Sequence, residues 1–141
     1  MKDRFPLRIL EQDGRYKATT SVIDLQSRSR RIRQDMGYIE FDYSVTVRAI
    51  QDIRGTVQEN KVKKADPRAF WLIGDILLAF LHRIDNLGFY LVNQNRVLGA
   101  GIGMSESSIK RIIAFRKRFP DIARVNPTIS WSKYRENKVP Y

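Results

Sequence analysis

The sequence predicts a small, mainly helical domain, and three observations carry that reading. Apolar residues recur every three to four positions over several long segments. Proline and glycine mark the ends of those segments, and turn chemistry of the hairpin kind occurs only near the N-terminus. The expected organisation is a basic N-terminal arm or hairpin over residues 1–36, followed by a helical domain over residues 37–141.

In the first part, Asp13-Gly14 sits between Leu7-Arg8-Ile9-Leu10 and Tyr16-Lys17-Ala18-Thr19, which predicts a short β-hairpin. Arg28, Arg30, Arg31 and Arg33 then crowd a short stretch. Like charges repel and resist burial, so this segment reads either as a solvated loop or as an arm that contacts phosphates.

Residues 38–60 carry two periods at once. Ile39, Phe41, Tyr43, Val45 and Val47 alternate as in a strand, whereas Ile39, Tyr43, Val47, Ile50, Ile53 and Val57 share a helical face. The second pattern covers more chain, which favours a helix from about Ile39 to Asn60. Gly37 is then expected outside its start, with Arg48, Gln51, Asp52, Arg54 and Gln58 outward and Lys61-Val62-Lys63-Lys64 at its end. Asp66-Pro67 opens a second helix, an acceptor at the cap followed by proline in the first turn. It runs to about Asn86 and is apolar over most of its circumference, as a central helix should be. Asp75 reads as a carboxylate paired with an arginine, His82 as a histidine at the edge of the core. Gly88 stops this helix.

Composition limits the chemistry. Lysine and arginine number 26 against 15 acidic residues, a formal net charge of +11, and there is no cysteine and a single histidine. Disulfides, thiolate nucleophiles and histidine-based metal sites are excluded, and no cofactor is expected. The apolar run from Phe70 to Leu81 is shorter than the roughly 20 residues of a bilayer span. No secretory pattern opens the chain, so a cytoplasmic, nucleoid-associated protein without a membrane partner is expected. The positive charge makes a polyanion the first partner to consider.

The segment from Ile102 to Ile113 resembles the turn and second helix of a helix-turn-helix. Gly103 takes the left-handed turn, Met104 packs inward, Ser105 caps the helix, and Ile109, Ile112 and Ile113 hold it to the body. That resemblance implies non-enzymatic binding of double-stranded DNA in the major groove. Ser105 would cap the helix at the DNA, Ser107, Ser108 and Lys110 would lie nearest the bases, and Arg111, Arg116, Lys117 and Arg118 would meet phosphates, with Arg28, Arg30, Arg31 and Arg33 as further backbone contacts. A homodimer is the usual way such a unit gains affinity. Gly99, Ala100, Gly101 and Gly103 weigh against a first helix and leave a glycine-rich loop open, although the Gly-Lys-Ser/Thr ending of a phosphate loop is missing.

Trp71-Leu72-Ile73-Gly74, Met104-Ser105, Phe115, Phe119-Pro120 and Ile129-Ser130-Trp131-Ser132-Lys133-Tyr134 together resemble the N-terminal helical domain of a prokaryotic family associated with PD-(D/E)XK-type nucleases. The resemblance spans about residues 43–136 and implies DNA binding or assembly. The sequence stops at Tyr141, so any cleavage activity is expected to come from a separate polypeptide, which makes a separate nuclease or regulatory protein a candidate partner. Two other readings stay open. An RNA-binding or ribonucleoprotein component would use Tyr16, Tyr90, Trp131 and Tyr134 as stacking platforms. A metal-dependent enzyme similar to ribonuclease III would use Asp75 within Leu72-Ile73-Gly74-Asp75, but the second carboxylate that a metal site needs is missing from Phe70-Trp71-Leu72-Ile73.

Overall fold

The computed structural model describes residues 8–12, 15–19, 24–27, 32–59 and 66–141. The chain is mainly helical. Strands β1 (Arg8–Gln12), β2 (Arg15–Thr19) and β3 (Asp24–Ser27) precede α1 (Ile32–Glu59) and α2 (Pro67–Asn86). Strand β4 (Phe89–Leu91), α3 (Gln94–Ile102), α4 (Glu106–Arg118), a short 3-10 turn (Ile122–Arg124) and α5 (Trp131–Arg135) follow.

The strands form one antiparallel sheet in the order β1-β2-β3-β4. Gln12 pairs with Arg15 across β1 and β2, and the expected Asp13-Gly14 turn lies outside the described residues. Leu25 to Ser27 pair with Leu91 to Phe89, which ties the N-terminal strands to the helical body. Phe89 and Leu91 are both buried. The expected division at residue 36 falls inside α1.

Helix α1 follows the longer of the two periods. Ile39, Tyr43 and Ile50 are buried at helical spacing, and Thr46 and Asp35 share their side. The helix starts seven residues before the expected position, so Gly37 lies within it rather than outside. One glycine costs about 1 kcal/mol, less than the burial of Ile39 and Tyr43 returns, and an established helix propagates cooperatively. Arg54 departs from the expected outer face and turns toward α3. The cations at positions 61, 63 and 64 lie outside the described residues.

Helix α2 has the expected bounds. The Asp66 carboxylate accepts from the Arg68 backbone N–H at 3.0 Å, and Pro67 fills the first turn. Trp71, Ile73, Leu77, Phe80 and Ile84 are buried along it. It packs on α1, where Arg83 donates to both Asp42 oxygens at 2.6 and 2.7 Å. It also packs closely on α4 at Gly74, where an added Cβ would stand 2.7 Å from the Arg116 Cβ and 3.0 Å from the Ile112 carbonyl.

The core has two parts. The larger joins α1 to α4 through Ile39, Ile50, Leu77, Phe80, Ile109 and Ile112. The smaller is aromatic, with Trp71, Phe115, Phe119 and Tyr134 gathered beneath α5. Phe115 lies 5.0 Å from the Trp131 ring and 5.1 Å from the Tyr134 ring, centroid to centroid. Edge and tilted contacts at such distances add to the burial of apolar area.

Candidate nucleic-acid interface

The first helix of the expected pair forms despite its glycines, because tertiary contacts require them. A Cβ at Gly99 would collide with the Met104 carbonyl oxygen, and one at Gly101 with the Tyr43 hydroxyl. Gly103 is left-handed at φ 87°. The N–H groups of Gly103 and Met104 both donate to the Gly99 carbonyl at 2.8 Å. This closes α3 with a tight turn. Arg54 reaches over from α1 and donates to the Ile102 carbonyl at 2.8 Å. A guanidinium there satisfies an open carbonyl and opposes the negative end of the α3 dipole.

Helix α4 starts at Ser105, whose Oγ accepts from the Ser108 N–H at 3.1 Å and donates to the Ser108 hydroxyl at 2.9 Å. Ser108, one of the two helix serines expected at the bases, is therefore engaged with the capping Ser105, while Ser107 stays exposed. Ile109, Ile112, Ile113 and Phe115 face the core. On the opposite side Ser107, Lys110, Arg111, Ala114 and Lys117 are exposed, and their spacing of three and four places them in one stripe.

The remaining α4 cations belong to the body. The Arg116 Nε donates to the Asp75 carboxylate at 3.0 Å, and its guanidinium covers the Trp71 ring at 4.5 Å. The Trp71 indole N–H in turn donates to the Phe119 carbonyl at 2.6 Å. Arg118 donates to the Tyr134 carbonyl at 2.8 Å and lies over the Phe119 ring at 5.3 Å. Burial lowers its pKa from the ordinary value. These two arginines, expected at phosphates, are engaged within the chain at the C-terminal end of α4, and their partners stand too far off in sequence to be read from it. Arg28, Arg30 and Arg31 lie outside the described residues, and Arg33 is placed by its backbone alone in the first turn of α1.

Compared with protein-family models, with curated proteins and with solved structures, the chain matches none of them. The functional reading therefore rests on the residues themselves. Asp75 is the partner of Arg116, and no group of three His, Cys, Asp or Glu that could hold a metal occurs among the described residues. Trp131 stacks on Phe70 at 4.4 Å and Tyr134 is 1% exposed, so both serve packing rather than base stacking. The side chains of Tyr16 and Tyr90 lie outside the described residues. His82 is exposed and lines, with Asp85, Gln94 and Lys117, a cleft of about 310 Å3 between α2 and α4. Among the described residues no helix is long and apolar enough to cross a membrane.

Cations that the sequence did not single out gather at the end of α5. Arg135 and Lys138 flank Glu136 just beyond α5. Their only sequence signal is a basic residue at the end of a short helix.

Proposed function

We propose that the chain is a non-enzymatic binding protein for double-stranded DNA that presents the outward stripe of α4 to the major groove. The observation that carries this reading is the division of α4 into two sides. Four core residues hold one side to α2 and the aromatic cluster, while Ser107, Lys110, Arg111 and Lys117 are exposed on the other. Short polar residues early in the helix suit base edges, and cations along it suit phosphates. A net charge of +11 supplies long-range attraction for the duplex. The closed turn at Gly103 and the Arg54 clamp keep α4 at a fixed attitude to α3, which major-groove entry demands.

A salt series of binding to duplex DNA, single-stranded DNA and duplex RNA tests the reading. Affinity for duplex DNA is expected to be highest and to fall steeply with salt, by about 0.9 log units per log unit for each phosphate contacted. Equal affinity for all three nucleic acids, or a flat salt response, would contradict it.

A second copy is the occupant we assign to the outer face of α1. Tyr38, Phe41 and Val45 are 63%, 71% and 50% exposed and share one side of the helix, with Arg48 and Asp52 continuing it. The face is self-complementary. An antiparallel two-fold pairing centred between Ser44 and Val45 sets Arg48 of each copy against Phe41 of the other, and Asp52 near Tyr38. Sedimentation equilibrium should show a dimer that Phe41→Glu converts to a monomer. A wild-type chain that stays monomeric at high protein concentration refutes this assignment.

A further inference from the structure

Beyond α5 the chain doubles back. Asn137 is left-handed at φ 61°, and the Lys138 N–H donates to the Lys133 carbonyl at 2.9 Å. This reversal brings the Lys138 ammonium to 3.2 Å from one Glu136 carboxylate oxygen, while an Arg135 guanidinium nitrogen stands 3.7 Å from the other. The Glu136 side chain stays about half exposed. Lys138, by hydrogen bond and charge, and then Arg135 and Arg111 hold its carboxyl below the ordinary value. One carboxylate thus meets two cations, and Arg111, on the outward stripe of α4, adds its charge from farther off.

We propose that Arg135 and Lys138, with Arg111 adding its charge from α4, form a second phosphate-binding site for the duplex, and that Glu136 occupies it in the free protein in the place of a phosphate. The inference rests on the DNA-binding reading of α4. A guanidinium and an ammonium that accept a carboxylate offer the same charge-assisted hydrogen bonds to a phosphodiester oxygen. Three cations against one carboxylate leave a net local charge of two, so the cluster keeps its attraction for an anion while Glu136 competes with it. Because the carboxylate is exposed and its backbone is fixed by the N–H donated to Ser132 at 3.1 Å, the side chain can swing aside without disturbing α5.

The test is Glu136→Gln, which keeps the shape and removes the competing charge. Titrated with duplex DNA at low salt, this variant should bind about threefold to fivefold more tightly than wild type, and the gain should shrink as salt rises. The Arg135→Ala, Lys138→Ala double variant should bind more weakly, with a salt slope shallower by about two phosphate contacts. Glu40→Gln adds the same charge on α1 and should change affinity much less. Equal tightening by Glu136→Gln and Glu40→Gln, or none by Glu136→Gln, overturns the second site and leaves the α4 reading intact. A wild-type chain with no salt-dependent duplex binding overturns both. Thermal melting of each variant confirms that the comparison is made between folded chains.

Discussion

Gly101→Ala is expected to destabilise the protein by about 2 kcal/mol, although alanine is the better helix former by about 1 kcal/mol. The new methyl group would run into the Tyr43 hydroxyl. Tyr43 cannot move aside freely, since it is 8% exposed and its ring lies 5.9 Å from that of Phe80. Its hydroxyl is buried and has no hydrogen-bond partner among the described residues, so Tyr43→Phe alone should be neutral or slightly stabilising. The double variant should recover most of the loss and keep the helix-propensity gain, giving a coupling of about 1–2 kcal/mol in urea denaturation. Gly101→Ala as stable as wild type would contradict the close approach of α1 and α3 on which the attitude of α4 depends.

Phe115→Ala should cost about 3–5 kcal/mol, the range for removing a large buried aromatic side chain. Phe115 is fully buried and its ring touches those of Phe119, Trp131 and Tyr134, so no single neighbour can close the space. The effect should extend beyond stability. With the aromatic cluster loosened, the Trp71 to Phe119 and Arg118 to Tyr134 hydrogen bonds lose their fixed partners, and the C-terminal turn of α4 should fray. A loss below about 1 kcal/mol would show that the cluster can repack around the gap.

Elements with local signals were legible in the sequence. Asp66-Pro67 and Gly88 bound α2, and Ser105 with Phe119-Pro120 bound α4, because caps and breakers act within a few residues. Helix α3 was obscured by Gly99 and Gly101. Their cost is local, whereas the contacts that require them, with the Met104 carbonyl and Tyr43, are tertiary. Strand β4 is three residues long and has its partner more than sixty positions away, so no window of sequence contains it. The outward stripe of α4 followed from helical spacing, yet Arg116 and Arg118 could not be separated from Lys117 by composition. Only the positions of Asp75 and the Tyr134 carbonyl show which cations are already spoken for. The same limit hid the Arg54 clamp and the cluster around Glu136.

The central claim is that the free cations of α4, and not its anchored ones, meet duplex DNA. Fluorescence anisotropy of a panel of duplexes with Lys110→Ala and Lys117→Ala tests it most directly. Lys110→Ala should alter the order of preference among sequences, while Lys117→Ala should weaken every duplex alike and reduce the salt slope by about one contact. Wild-type affinity and slope in both variants would contradict the claim and leave α4 as a structural helix with a solvated face.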